Sequence, residues 1–246
     1  MDSFLGTAIV VEMDYLHDSL FTHFTPWMGG AMPDMRRVDK SLPMTIKPIV
    51  LLGDTRSREF VKRMSEEKFG VMVVDRLPKI HYEGMPWAFD NGCFSAWWNN
   101  KIWDSAAWHI RVDKILAAQL PLPLFAVTPD LPAEGEESLR FSRDWVDRMP
   151  EQFPTALALQ DGMRFQAVKE HLQFYDYLFI GGSDAFKVQA ADWVKFARDN
   201  GKKIHYARAS TLEKLEWAIH LEVDSLDSSF PVVDKAKVSS VCRYFC

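Results

Sequence analysis

The feature that most constrains this chain is a regular alternation of short apolar segments with longer amphipathic ones, which begins near residue 48. The short segments are nearly continuous in apolar residues, as is typical of parallel strands that are covered on both faces. Eight of them are predicted as strands: 49–53, 71–75, 86–90, 124–130, 155–160, 177–182, 203–208 and 223–227.

The segments between these strands have the spacing of amphipathic helices. Phe141, Trp145 and Met149 recur every four residues, and Asn200-Gly201 follows a later segment as a typical helix end. The last of these segments starts with Ser210 and Glu213, which have the spacing of a capping box. Helical crossovers between successive strands imply a parallel sheet.

Eight such strands in this length predict a compact (β/α)₈ barrel, and an open doubly wound α/β sheet is the alternative. In the barrel interpretation, residues 48–246 form the catalytic domain and residues 1–47 form an N-terminal extension that packs on it. Residues 232–246 are the weakest part of the pattern, because they are short and poorly periodic.

Composition excludes several classes of protein. With 29 basic and 34 acidic residues, the chain does not bind a polyanion through bulk charge, so nucleic-acid binding would need a local basic face. Its three cysteines form neither a disulfide framework nor a zinc site, and they suit a reducing cytoplasm. No apolar run approaches the length of a membrane span, and the N-terminus lacks the basic residues of a secretory signal. We therefore expect a cytoplasmic protein.

Polar or glycine residues follow the predicted strands at their carboxyl ends. In a barrel these ends converge on the face that holds the active site. A single strand-terminal Asp is more often a turn former or a helix cap than a catalyst. Six converging ends are harder to explain in that way: Asp90-Asn91-Gly92, Asp130, Gln160-Asp161-Gly162, Gly181-Gly182-Ser183, Arg208 and Asp227.

These residue types suit acid–base and nucleophilic chemistry. Asp90, Asp130 and Asp227 are candidates for a nucleophile or for a group that moves protons. Gln160 offers a donor and an acceptor on one amide, which suits the edge of a heterocycle, and Gly181-Gly182 lets a ligand approach backbone N–H groups. No histidines have the spacing of metal ligands. The set fits a metal-free reaction at a sugar carbon that uses two carboxylates.

Five motifs occur in order on successive predicted strands: Asp90-Asn91-Gly92-Cys93-Phe94-Ser95, Gln160-Asp161-Gly162, Phe179-Ile180-Gly181-Gly182-Ser183 with Lys187, His205 with Arg208, and Val223-Asp224-Ser225-Leu226-Asp227. Together they resemble the tRNA-guanine transglycosylase superfamily, and more closely its phage-type branch, the 7-deazaguanine DNA transglycosylases. The resemblance covers roughly residues 86–230 and rests on the ordered combination of motifs.

This resemblance implies a barrel glycosyltransferase that exchanges guanine in DNA for a 7-deazaguanine such as preQ0 or a relative, with no cofactor. Asp227 matches the nucleophile that forms a covalent glycosyl-enzyme, and Asp90 matches the general acid/base. Asp130, Gln160 and Gly182 match the positions that read the base. Substrate contacts are also implied for Asn91, Gly181, Ser183, Lys187, His205 and Arg208.

The implied partners are DNA, double-stranded or locally opened, and the free deazaguanine base. If the protein is phage-encoded, the implied compartment is the host-cell cytoplasm, and no membrane contact is expected. The target base must leave its stack before it reacts.

The chain departs from the family pattern at several positions. The tRNA enzymes carry a Cys-rich zinc site after the last strands, whereas this chain has only Cys242 and Cys246 there, which argues against tRNA as the polymer. Asn91 replaces the Ser of the family motif, and Ala207 stands where the DNA branch often has Gly. A core histidine and a surface arginine are the alternative interpretation of His205 and Arg208.

Three other functions stay open on the sequence. The first is a zinc-free enzyme of the tRNA-guanine transglycosylase type. The second is a metal-free barrel N-glycosidase or nucleoside hydrolase, which would admit water to the intermediate and release guanine. The third is a non-catalytic barrel that binds a base or DNA. The presence of both Asp90 and Asp227 favours an enzyme over this last function.

Overall fold

The computed structural model describes residues 47–53, 58–66, 69–74 and 84–228. Within them, eight parallel strands pair in chain order and close into a barrel, because β1 pairs with both β2 and β8. The predicted (β/α)₈ barrel is confirmed, and the open sheet is excluded. The strands are β1 (Ile49–Gly53), β2 (Gly70–Val73), β3 (Trp87–Phe89), β4 (Ala126–Val127), β5 (Thr155–Leu159), β6 (Tyr177–Ile180), β7 (Lys203–Tyr206) and β8 (Ser225–Ser228).

Helices connect the strands and pack around the outside of the barrel. They are α1 (Arg58–Glu66), α2 (Cys93–Trp98), α3 (Ser105–Ala117), α4 (Gly135–Val146), α5 (Phe165–Lys169), α6 (Asp184–Lys187), α7 (Ala190–Asp199) and α8 (Leu212–His220), with a 3₁₀ turn at Leu172–Phe174. In the described part of the chain, no helix is both long enough and apolar enough to cross a membrane.

Side chains alternate along each strand between the barrel interior and the layer of helices. The interior is filled by small and aromatic residues: Leu51, Met72, Ala88, Phe125, Val127, Ala156, Ala158, Tyr177, Phe179 and Ala207. A larger cluster fills the space between the strands and the helices, and it contains the fully buried Trp108 and Trp193. Burial on both faces explains why the strands are nearly continuous in apolar residues.

Strand β4 is much shorter than the predicted segment 124–130, because the chain leaves the sheet soon after Val127. The Thr128 hydroxyl lies 2.5 Å from the Ser142 hydroxyl on α4 and also donates to the Ala156 carbonyl. These bonds direct the following residues, including Asp130, across the end of the barrel.

One predicted cap is wrong, and several predictions fall outside the described residues. Helix α8 is capped by Thr211, whose hydroxyl accepts the Lys214 N–H at 3.3 Å, and not by Ser210. The predicted end at Asn200-Gly201 is confirmed, since Gly201 has a φ of 66° after α7. The extension predicted over residues 1–47, apart from its last residue, and the segment 232–246 lie outside the described residues.

We expect Gly70→Ala to lower the free energy of unfolding by about 1–3 kcal/mol, the usual effect of overpacking. A Cβ atom on Gly70 would overlap the Pro86 carbonyl oxygen and the Leu51 side chain. Gly53→Ala is the matched control, because no described atom lies within 4 Å of its Cβ position. Denaturant unfolding of the two variants measures the difference, and a Gly70→Ala protein as stable as wild type would contradict this packing.

Candidate active site

A pocket lies at the end of the barrel where the carboxyl ends of β3 to β7 converge. Six of the predicted site residues line it: Asp90, Asn91, Asp130, Gln160, Gly181 and Arg208. The rest of its wall is apolar: Phe94, Val127, Ala158 and Phe179. The barrel therefore brings most of the predicted polar strand ends together around one pocket.

Asp90 starts the turn that follows β3. Its Oδ1 accepts the Gly92 N–H at 2.7 Å, while its own N–H donates to the Val73 carbonyl. Gly92 has a φ of 81°, which favours glycine and explains the Asn91-Gly92 pair. Asp90 therefore stabilises the turn, as a strand-terminal Asp usually does, and its half-buried side chain also lines the pocket.

Asn91, Asp130 and Gln160 form a buried hydrogen-bond network on one wall of the pocket. Asn91 Nδ2 donates to Asp130 Oδ1 and to the Thr128 carbonyl, both at 2.8 Å, and its Oδ1 accepts the Cys93 N–H at 2.7 Å. Gln160 Nε2 donates to Asp130 Oδ2 at 2.5 Å. The network fixes the plane of the Asp130 carboxylate, which is only 5% exposed.

Burial raises the pKa of Asp130 to about 7. The hydrogen bond from Asn91 opposes this rise, and the negative charge of Asp90 adds to it. Asp130 therefore gains or loses a proton near neutral pH. As a carboxylate it accepts hydrogen bonds from a ligand, and as an acid it can donate one.

His205 and Asp227 form a second polar group, on β7 and β8. His205 Nε2 lies 3.0 Å from Asp227 Oδ1, and His205 Nδ1 lies 2.9 Å from Ser225 Oγ. Burial lowers the pKa of His205, although the hydrogen bond to Asp227 opposes the shift. The neutral imidazole then donates from Nε2 to Asp227 and accepts the Ser225 hydroxyl at Nδ1. This chain of bonds fixes the orientation of the Asp227 carboxylate.

His205 is also part of the barrel core, because its ring stacks on Phe179 with centroids 4.7 Å apart. Asp227 lies beside the pocket rather than on its wall, and its side chain is 19% exposed. In the described part of the chain, Asp227 Oδ2 has no hydrogen-bond partner. Within these residues, only one of the two carboxylate oxygens is therefore held, by His205.

Arg208 lies between the two polar groups. Its Nη2 donates to the Gly181 carbonyl at 2.6 Å and to the Gly182 carbonyl, and its guanidinium carbon is 4.2 Å from the Phe94 ring centroid. Burial lowers the pKa of Arg208, and the carboxylate of Asp227 is the largest opposing influence. The backbone φ of Arg208 is 54°, a conformation that costs a non-glycine residue about 1–3 kcal/mol. Arg208 is therefore a strained residue on the wall of a pocket, not a surface arginine.

The structure does not support the predicted contact between the Gly182 N–H and a base. The N–H groups of Gly181 and Gly182 both donate to the Leu159 carbonyl, at 3.2 and 3.0 Å. A Cβ atom on Gly182 would overlap the Phe186 ring. Glycine is thus needed here for packing, while Gly181 lines the pocket.

Ser183 and Lys187 also have structural positions instead of the predicted substrate contacts. The Ser183 hydroxyl accepts the Phe186 N–H at 3.1 Å, which caps α6, and donates to the carboxylate of Asp161. Lys187 is fully buried and donates to the Ala207 carbonyl. Burial lowers the pKa of Lys187 well below its ordinary value. These residues hold the ends of β6 and β7 in place.

The structure also places in the site residues for which the sequence predicted no role, among them Phe94 and Ser225. Phe94 lines the pocket from the first turn of α2. Ser225 bonds His205 from the barrel interior. Ser225 could have been identified, since it lies two residues before Asp227 and side chains repeat every two residues along a strand.

In the described residues, no three His, Cys, Asp or Glu side chains are grouped so that they could hold a metal ion. Cys93 is a buried free cysteine, and burial raises the pKa of its thiol. The other two cysteines, Cys242 and Cys246, lie outside the described residues.

No family model matches the chain, and no curated protein is similar to it. Solved structures with a similar fold include β-methylaspartase from Clostridium tetanomorphum in a magnesium complex, with a TM-score of 0.48 and 10% identity. They also include an HpcH/HpaI aldolase from Desulfitobacterium hafniense DCB-2, with a TM-score of 0.49 and 11% identity. The matches cover 85% and 79% of this chain, 60% of the methylaspartase and 92% of the aldolase. The chain thus spans less than two thirds of the methylaspartase, and neither likeness bears on the chemistry of the site.

We expect the free energy of unfolding of wild type, relative to Asp130→Asn, to fall by about 2 kcal/mol between about pH 5 and pH 7. The folded-state pKa of Asp130 is about 7 and its ordinary value is 3.8, so the folded protein binds an extra proton in this window. Its stability then decreases as the pH rises. Denaturant unfolding of both proteins across the window measures the difference, and parallel pH profiles would contradict the buried position of Asp130.

We expect His205 to titrate below the ordinary value of 6.5, with the Nε2-protonated tautomer dominant. Asp227→Asn should lower its pKa further, because the largest influence opposing burial is then lost. Nitrogen chemical shifts of the imidazole measure both quantities. Exposed His220 is the internal control, and an unaltered or raised His205 pKa in the variant would show that the pair does not interact as described.

Proposed function

We propose that this protein is an enzyme that exchanges guanine in DNA for a 7-deazaguanine base through a covalent aspartyl-glycosyl intermediate. The observation that carries the proposal is the position of Asp227. Neutral His205 bonds one of its carboxylate oxygens, and the other oxygen has no hydrogen-bond partner among the described residues. A carboxylate oriented in this way beside a polar pocket is suited to attack an anomeric carbon.

The wall formed by Asn91, Asp130 and Gln160 supports recognition of a guanine-like base. Guanine and 7-deazaguanines present a ring N–H, an exocyclic amine and a carbonyl oxygen along one edge. Ionised Asp130 accepts N–H groups, and the Gln160 amide can donate to the carbonyl. Each Asp130 oxygen accepts one hydrogen bond within this wall and has capacity for a second, which a base without these groups would not supply.

Two displacements at C1′ account for the exchange. In the first, in which Asp90 starts protonated, an Asp227 oxygen forms a bond to C1′ while the bond from C1′ to guanine N9 breaks, and Asp90 gives its proton to the departing guanine and becomes ionised. In the second, Asp90 removes the N9 proton of the deazaguanine, N9 forms a bond to C1′, and the Asp227 oxygen leaves. The configuration at C1′ is retained, and no further reactant is consumed.

DNA is proposed as the polymer because the motifs resemble those of the DNA branch. The end of the barrel is suited to a base that has left its stack, since a pocket walled by polar and aromatic groups offsets part of the unstacking energy.

We expect Asp227→Ala to lower base exchange by a factor on the order of 10³ or more, because the nucleophile is lost. The purified protein is incubated with DNA and a panel of 7-deazaguanine bases, and nucleoside mass spectrometry measures incorporation. Asp113→Ala, which removes an exposed carboxylate from α3, is the matched control and should keep wild-type activity. If Asp227→Ala exchanges bases at the wild-type rate, the assignment of Asp227 as the nucleophile is wrong.

The same assay separates the other functions. Guanine release with abasic sites and no incorporation would indicate a hydrolase. Incorporation into tRNA alone would indicate an enzyme of the tRNA type. Absence of both products, with binding of a base that survives Asp227→Ala, would indicate a binding protein.

A further inference from the structure

An exposed aromatic cluster lies at the rim of the pocket. Helix α2 carries Phe94, Trp97 and Trp98, whose ring centroids are 5.8 to 6.3 Å apart, and we call these residues the α2 aromatic cluster. Trp98 stacks on Phe94 at an interplanar angle of 24° and is 62% exposed. An indole this exposed contributes little to the barrel core, and most of its surface is open to solvent.

The α2 aromatic cluster is continuous with the pocket. Phe94 lines the pocket on one side and contacts Trp98 on the other. The guanidinium of Arg208, also on the pocket wall, lies 4.2 Å from the Phe94 ring centroid. An aromatic path therefore runs from the pocket to solvent, and a group bound in the pocket would bring its chemical neighbours towards Trp98.

The charge of this segment differs from that of the whole chain. Residues 91–103 contain no Asp or Glu and one Lys, although the chain carries a net charge of −5. Lys101 is exposed, three residues after Trp98. Next to the same turn, Arg111 Nη2 lies 3.9 Å from the Cβ position of Gly92, and its buried Nε has no hydrogen-bond partner in the described part of the chain. Asp90 and Asp104 border the segment, and between them a polyanion meets no carboxylate of residues 91–103.

We propose that Trp98 is a stacking platform for an unpaired DNA strand, and that it contacts a base adjacent to the nucleotide held in the pocket. The inference rests on the proposed function, because it takes a polynucleotide as the substrate of this pocket. Aromatic side chains bind single strands by stacking on successive bases with little sequence preference, while cations contact the backbone. The substrate is then a single-stranded or opened segment, in preference to an intact duplex.

Binding of a short fluorescein-labelled oligodeoxynucleotide, followed by fluorescence anisotropy, tests the proposal without requiring turnover. We expect wild type to bind the single strand more tightly than the same sequence as a duplex. Trp98→Ala should raise the Kd for the single strand about tenfold, the effect of losing one base–aromatic stack. Trp98→Phe should restore most of the affinity, because a smaller aromatic face remains.

Leu122→Ala is the matched control, since Leu122 is 58% exposed but precedes β4 at the opposite end of the barrel. Its Kd should equal that of wild type. Equal affinities of wild type and Trp98→Ala for the single strand would overturn the proposal, as would tighter binding of the duplex or of the matching RNA strand.

Failure of this proposal can be distinguished from failure of the proposed function. If wild type and Trp98→Ala exchange bases in DNA with the same KM, the proposed stacking role of Trp98 is wrong and the proposed transglycosylase activity is supported. If single-strand binding depends on Trp98 but no base exchange occurs, the stacking role of Trp98 is supported and the proposed transglycosylase activity is wrong.

Discussion

Backbone hydrogen bonds between β1 and β8 close the sheet on itself, and the site depends on the register of that closure. Leu51 pairs with Asp227 and Ile49 with Ser225, so Ser225 and Asp227 face the barrel interior together with His205. A shift of one residue in this register would turn Asp227 into the layer of helices. The position of the proposed nucleophile is therefore a property of the whole barrel and not of the segment that carries it.

Closure also brings polar groups into an interior from which water is largely excluded, and each of them needs a partner there. Asp130 receives hydrogen bonds from Asn91 and Gln160, and His205 is held between Ser225 and Asp227. Burial stabilises the uncharged form of both groups, which raises the pKa of Asp130 and lowers that of His205. Hydrogen bonds in such surroundings are stronger than in water, so the same burial gives the site its rigidity.

Much of the fold and part of the site could be predicted from the sequence. All eight strands were located, because a strand covered on both faces leaves a nearly continuous apolar run. Asp90, Asp130 and Gln160 were predicted to lie close together, and they line one pocket because barrel topology makes the strand ends neighbours. Nothing local to the sequence showed that the Gly182 N–H donates to Leu159, or that Lys187 is buried under β7, because both facts depend on contacts between distant segments. The cap of α8 was missed by one residue, since Ser210 and Thr211 are both good caps and only the path of the chain separates them.

The left-handed backbone of Arg208 has a consequence for engineering this protein. Glycine would adopt that conformation without strain, so backbone conformational energy alone favours replacing Arg208. The guanidinium, however, donates hydrogen bonds to two carbonyls and covers the Phe94 ring. Glycine at this position would remove these contacts. Backbone strain and side-chain contacts therefore have opposite effects on stability at this residue. Stabilising substitutions are better sought in the outer layer of helices, where the melting temperature can rise without any change to the end of the barrel that holds the pocket.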